Sequence, residues 1–122
     1  MEVLFDTNAL LMPFELKVNP YKGVKDLIPG ASLITLKACV KELKGLKPRL
    51  WEQAVSLGKK QGLRVVLYQS VNNLSVDDLI VQYAKEHGSL VLTQDKLLRK
   101  KLLNSSLRVV ILRQKKKFMI TG

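Results

Sequence analysis

The stretch Met1-Glu2-Val3-Leu4-Phe5-Asp6-Thr7-Asn8 decides the fold. A short apolar run, Val3 to Phe5, ends at one carboxylate and is followed by Ala9, Leu10, Leu11 and Met12. The pattern reads as a buried strand that delivers an aspartate to its carboxyl end, where a helix begins. In open parallel α/β sheets the ligand crevice lies outside those carboxyl ends. Asp6 is therefore either a helix cap or the first piece of an active site.

Working outward, Ala9 to Val18 is helix-like, with Pro13 placed within about its first turn, where proline is tolerated. Asn19-Pro20 breaks it, and Tyr21 to Leu27 forms a second short helix closed by Pro29-Gly30. Ala31 to Leu36 is apolar and β-branched, a second strand. Cys39 to Leu46 continues as a helix, and Pro48 opens a longer one over Arg49 to Gln61. Leu63 to Tyr68 is the third strand. Ser75 is a good N-cap for a helix over Val76 to His87, which Gly88 ends. Leu90 to Leu92 makes a short fourth strand, Asp95 to Leu103 a helix, and Leu107 to Leu112 a fifth strand. Phe118 to Ile120 adds a short antiparallel partner across a basic turn. Strands and helices alternate from end to end, which is the pattern of a parallel sheet covered by helices on both faces. The 122 residues read as one domain, 1–122, with no repeat or linker.

Composition narrows the function. No apolar run reaches bilayer-spanning length, so no membrane partner is expected. The N-terminus lacks the basic region of a signal peptide and reads as the start of the fold. With one cysteine, Cys39, neither an internal disulfide nor a cysteine-rich zinc site can form, and a cytoplasmic location is expected. The net charge is +11, which favours nucleic acid as a partner. Lys96, Arg99, Lys100 and Lys101 cluster, as do Arg113, Lys115, Lys116 and Lys117.

On so basic a chain the ten acidic residues are informative by position. Asp6 ends the first strand, and Asp95 follows the fourth in Leu90-Val91-Leu92-Thr93-Gln94-Asp95. Two strands thus send a carboxylate to one edge of the sheet. Glu42 lies in the helix after the second strand, between Val40 and Leu43. Asp77 and Asp78 lie in the first turn of the helix before the fourth strand. Each has a plain structural reading: capping for Asp6 and Asp95, a solvated helix position for Glu42, and a capping box with Ser75 for Asp78. Asp77 is left over, aligned with the buried stripe of Ile80 and Ala84 and without a cation nearby in sequence. An inward carboxylate needs a partner. Carboxylates without histidine or cysteine clusters suit hard, oxygen-loving ions such as Mg²⁺ or Mn²⁺. Thr7, Asn8 and Thr93 flank the aspartates and can orient them, or serve only as turn and cap residues. His87, in a last helical turn, and Cys39, a small buried side chain, carry no chemistry in this scheme.

These residues carry a family resemblance. Asp6-Thr7-Asn8-Ala9-Leu10-Leu11 resembles the opening of a PIN (PilT N-terminus) domain. Val40-Lys41-Glu42-Leu43, then Asp77-Asp78-Leu79-Ile80 with Ala84, and Leu92-Thr93-Gln94-Asp95 with Leu98, resemble the remaining acidic motifs in order. The resemblance implies a three-layer α/β/α sandwich on a central five-stranded parallel sheet, and a Mg²⁺- or Mn²⁺-dependent ribonuclease. Carried over by position, Asp6, Glu42, Asp77 and Asp95 become the catalytic set. Asp6, Asp77 and Asp95 are then metal ligands, and Thr7, Asn8, Thr93 and Asp78 support them. Asp77 is preferred over Asp78 as the third carboxylate, because it keeps the usual spacing to the Thr93 motif.

Compact length and the basic tail from Arg108 onward look most like small archaeal-type members. These are similar to small-subunit rRNA-processing nucleases and related to the toxins of toxin–antitoxin pairs. Gln94 stands where asparagine or arginine is common in the family. The expected function is endoribonuclease action on RNA, an rRNA precursor first, with Lys96, Arg99, Lys100, Lys115 and Lys116 binding the RNA backbone. The alternatives are a toxin-type ribonuclease and a non-catalytic RNA-binding scaffold. An antitoxin or a ribosome-assembly protein is the protein partner the resemblance implies, and a homodimer the assembly.

Overall fold

Val3, Leu4 and Phe5 are wholly shielded from solvent, and their alternation sets the layers of the molecule. In the computed structural model, which describes residues 1–122, the chain begins with β1 (Glu2–Phe5), α1 (Thr7–Glu15), α2 (Pro20–Leu27) and β2 (Ser32–Leu36). It continues through α3 (Lys37–Leu46), α4 (Trp51–Lys60), β3 (Arg64–Val66) and α5 (Val76–His87). It ends with β4 (Leu90–Leu92), α6 (Lys96–Asn104), β5 (Val109–Arg113) and β6 (Lys117–Thr121). The strands form one sheet of order β3-β2-β1-β4-β5-β6. The first five are parallel, and β6 pairs antiparallel with β5. This is the expected parallel α/β sandwich, with the C-terminal strand joined to the sheet as its edge.

Side chains alternate across a strand, so each strand feeds two cores. Val3 and Phe5 pack with Leu10, Tyr21, Leu43 and Ala54 on one face. Leu4 packs with Ile80, Ala84, Leu98 and Leu102 on the other. Position 6 continues the alternation on Leu4's side, toward α5 and α6. Strand order places the site as well. From β1 the chain builds outward through β2 and β3, then returns to place β4 on β1's opposite flank. The reversal leaves a crevice at the carboxyl ends of β1 and β4, the switch point at which α/β sheets bind ligands. Phe5 is paired with Leu92, so Asp6 and Thr93 emerge side by side there.

Several boundaries differ from the sequence expectation. α1 starts at Thr7, with Asp6 as its N-cap, so Pro13 lies in the helix interior. Having no N–H, it leaves the Ala9 carbonyl without that helical donor, yet the helix runs on through it. The helix ends two residues later, and Lys17 turns left-handed at φ 55°. Asn19 accepts from Lys22 N–H and, with Pro20 in the first turn, opens α2. β3 is shorter than expected because it is an edge strand bonded only to β2, and Leu67 already leaves the sheet for solvent. Asp95 caps α6 from outside the helix.

Thr35, fully buried on β2, donates its hydroxyl to the Phe5 carbonyl at 2.8 Å and ties the end of β1 to its neighbour. Thr35→Val removes that bond while nearly preserving shape. It is expected to lower stability by about 1–2 kcal/mol in urea unfolding. An unchanged midpoint would show that the tie is dispensable.

Candidate functional site

Asp6, Thr7, Asn8, Glu42, Asp77, Asp95 and Lys101 line one cavity of about 460 Å³, together with Leu46, Ser75, Val76 and Ile80. Five segments of chain meet here: the end of β1 with the start of α1, α3, the first turn of α5, the end of β4, and α6. The four carboxylates singled out in the sequence are thus brought to one pocket, at the switch point of the sheet.

The two strand-end aspartates are built alike. Asp6 Oδ1 accepts from Ala9 N–H at 2.7 Å, and Asp95 Oδ1 accepts from the N–H groups of Leu97 and Leu98 at 2.8 and 3.1 Å. Each is therefore a true N-cap, and in each the backbone donors occupy only Oδ1. Thr93 stands between them, its hydroxyl accepting from Asp95 N–H at 3.0 Å and hydrogen bonding to Asp6. Thr7 is buried beside Asp6 and donates to the Cys39 carbonyl at 3.5 Å, which ties α1 to α3. Asn8 is exposed on the pocket wall.

Burial dominates the electrostatics. Asp6 is only 4% exposed, and its carboxyl is raised from 3.8 to about 7. Loss of solvation is the main cause, and the charges of Asp95 and Asp77 add to it. Hydrogen bonds from Thr93 and Ala9 offset part of the rise. Asp77 is half-buried and also raised, first by desolvation and then by Asp95, with Glu42 and Asp78 contributing. Glu42 is exposed on the pocket wall and is not inward-facing.

Asp78 departs from the pocket-lining set. It is exposed, and its backbone N–H donates to Ser75 Oγ at 3.2 Å. Its carboxylate receives Lys101 Nζ at 3.1 Å, and that bond, with help from Ser75, holds its carboxyl below the ordinary range. Lys101 is the cation that sequence reading did not find for Asp77, whose carboxyl its charge pulls downward. The two residues are 24 positions apart, so only packing of α5 against α6 unites them. Gln94 was also missed as a positioning group. Its amide donates to the Leu112 carbonyl at 2.9 Å and accepts from Leu112 N–H at 2.8 Å, clamping the β4 exit to β5 next to Asp95.

Of the expected RNA-binding cations, Lys96, Arg99 and Lys100 lie on α6 outside the pocket wall. Lys115 and Lys116 lie in the β5–β6 turn, beyond the same carboxyl edge of the sheet. Gln114 and Lys115 adopt φ of 55° and 57° in that turn. His87 is elsewhere, its ring stacked on Tyr83 and Nδ1 3.1 Å from the Tyr83 carbonyl. Cys39 is buried, with its thiol pushed up to about 12, chiefly by burial. The four carboxylates line the wall without being drawn into a finished coordination group. Their chemistry nevertheless fits a hard divalent cation: the donors are all oxygen, and two of the four resist ionising together in its absence.

Comparison with known proteins places the chain in a family and a fold. The family described as "PIN like domain" matches residues 3–115. Ribonuclease VapC4 of Methanocaldococcus jannaschii is similar at 31% identity over 127 residues, covering 99% of this chain and 97% of that protein. Among solved structures, that of the PIN domain endonuclease Utp24 is similar in fold, with a TM-score of 0.82 at 20% identity. The match covers 98% of this chain and 90% of that one.

The raised carboxyl of Asp6 has a stability consequence. Between 3.8 and about 7 the folded state binds more protons than the unfolded one, so stability falls as pH rises through that window. The displacement corresponds to roughly 4 kcal/mol. Metal-free protein is expected to unfold at lower urea near pH 8 than near pH 5. Asp6→Asn, which keeps the capping oxygen, should flatten that dependence and be the more stable protein near pH 8. A wild-type midpoint that rises over this range would contradict the burial of Asp6.

Proposed function

We propose, on the premise that the chain belongs to the PIN-like domain family, that the acidic pocket is the active site of a Mg²⁺- or Mn²⁺-dependent endoribonuclease. One observation carries this. Asp6, Glu42, Asp77 and Asp95, from four separate elements, line a single pocket at the switch point of a protein whose net charge is +11. A scaffold has no need to gather carboxylates where a polyanion approaches. The end-to-end likeness to a ribonuclease supports the same conclusion.

Asp6, Asp77 and Asp95 are the residues that would hold the divalent ion. Such an ion, when bound, lowers the pKa of water and stabilises charge developing on phosphate oxygens. The chain's own residues do the rest. Thr93 fixes Asp6 and Asp95 relative to each other, so that both carboxylates are presented without reorganisation. Glu42, exposed on the pocket wall, is placed to accept the proton released when water attacks the phosphodiester. Lys96, Arg99, Lys100, Lys115 and Lys116 hold the RNA backbone around the pocket, and binding is accordingly salt-dependent. The substrate we propose is a precursor of ribosomal RNA, met in the cytoplasm. The compact chain and basic C-terminal turn support that choice. If expression instead arrested growth until a small companion protein was supplied, the toxin role would be assigned.

Two measurements test the site. Asp6→Asn is expected to abolish Mn²⁺-dependent RNA cleavage while its circular dichroism and RNA binding match wild type; persistent cleavage in the purified variant would refute the assignment. Independently of activity, millimolar Mg²⁺ or Mn²⁺ should raise the wild-type melting temperature. The gain is about 2.7 kcal/mol at a hundredfold excess over Kd. Asp6→Asn should lose most of that shift.

A further inference from the structure

A second cavity, of about 300 Å³, opens beside the acidic one. Lys37 and Lys41 of α3 line it, with Leu67 at the exit of β3 and Gln69, Asn72 and Asn73 from the loop leading to α5. The two cavities share a wall. In each of the consecutive pairs Lys41/Glu42, Leu74/Ser75 and Leu79/Ile80, one residue lines the basic cavity and the next lines the acidic one. They differ in sign: four carboxylates and one lysine line the first, whereas two lysines and no acidic residue line the second.

The chemistry of this second wall matches a nucleotide. Lys37 and Lys41 are exposed and make no ion pair within the protein. The side chains of Gln69, Asn72 and Asn73 make no internal hydrogen bond; at Asn72 only the backbone is engaged, its N–H donating to Ser70 Oγ and its carbonyl accepting from Leu74 N–H. Leu67 is 68% exposed, an apolar surface with nothing packed over it. A single-stranded nucleotide offers a counterpart to each: an anionic phosphate, a flat apolar base face, and a base edge carrying both donors and acceptors. An amide side chain can donate and accept at once, which suits a base edge.

We propose that this second cavity is the subsite for a nucleotide flanking the bond cut in the acidic pocket. Lys37 and Lys41 hold its phosphate, and Gln69, Asn72 and Asn73 select its base. The inference rests on the ribonuclease reading of the acidic pocket and extends it to sequence preference. RNA crossing the α3–α5 wall passes directly from one cavity to the other, so the cleaved position is fixed by the base seated next door.

The test uses a short fluorescent single-stranded RNA and the full chain in four forms: wild type, K37Q/K41Q, Q69A/N72A/N73A, and a control K59Q/K60Q. Lys59 and Lys60 end α4 just before β3 begins, and so lie at the opposite edge of the sheet. Affinity is read by anisotropy across a salt series, with cleavage blocked by omitting metal, and cut sites are mapped with Mn²⁺ present. K37Q/K41Q is expected to bind roughly tenfold more weakly and to lower the slope of log affinity against log salt by about 1.4, two single-strand phosphate contacts. Q69A/N72A/N73A should shift the base preference at the cut sites. K59Q/K60Q should leave the cut-site map unchanged. Wild-type affinity, slope and cut sites in both cavity variants would overturn the subsite. Failure of the ribonuclease reading is a separate result, seen in the wild type alone as an absence of metal-dependent cutting.

Discussion

A carboxylate held out of water at the end of the central strand is the constraint on which the pocket depends. Ionising Asp6 in its buried position costs on the order of 4 kcal/mol relative to water, a large fraction of what a domain of this size has in net stability. The fold tolerates it because the group is hydrogen bonded by the first turn of α1 and by Thr93 from the neighbouring strand. The first is local to the cap, whereas the second depends on register. β1 and β4 pair so that Phe5 stands opposite Leu92, and a slip of one residue would turn Asp6 into the opposite core.

Capping and site-building are one arrangement in this molecule. A strand that ends in aspartate and runs straight into a helix places the carboxylate at the helix N-terminus, where one oxygen meets the free N–H groups. β1–α1 and β4–α6 both do this, and because β1 and β4 are neighbours at the reversal of strand order, their caps face a common crevice. The macrodipoles of two helices stabilise the paired negative charge. Asp77 and Glu42 come from α5 and α3 on the flanking wall. Asp78, one position further along α5, holds Lys101 at the pocket edge, so one cation stands among the pocket's carboxylates.

What could be read from sequence followed from local physics. Apolar strands ending at aspartate, glycine and proline punctuation, and the serine cap of α5 all act within a few residues, and their elements formed where expected. The misreadings came where long-range structure decided. Pro13 reads as a first-turn residue only if α1 begins at Ala9; once Asp6 caps the helix, the same proline falls in its interior. β3 reads as six residues by composition, but an edge strand is only as long as its single partner permits. Asp77 lacked a cation in sequence because Lys101 arrives from another helix, and Gln94 looked like a departure from a motif until β5 supplied both a donor and an acceptor for its amide. Periodicity carries no information about such pairings.

The remaining feature is the contrast between pocket and surface. A chain of net charge +11 attracts a polyanion over much of its exterior, yet the crevice at the switch point repels it. RNA drawn in by the β5–β6 turn and α6 would be held everywhere except at the carboxylates, unless positive charge is supplied between the phosphate and the pocket wall. Lys101 is a single charge already paired to Asp78, too little against four carboxylates. The divalent cation we propose would resolve the conflict: it would offset the mutual repulsion that adds to the desolvation of Asp6 and Asp77, and it would turn a repulsive crevice into a place where a phosphate is held.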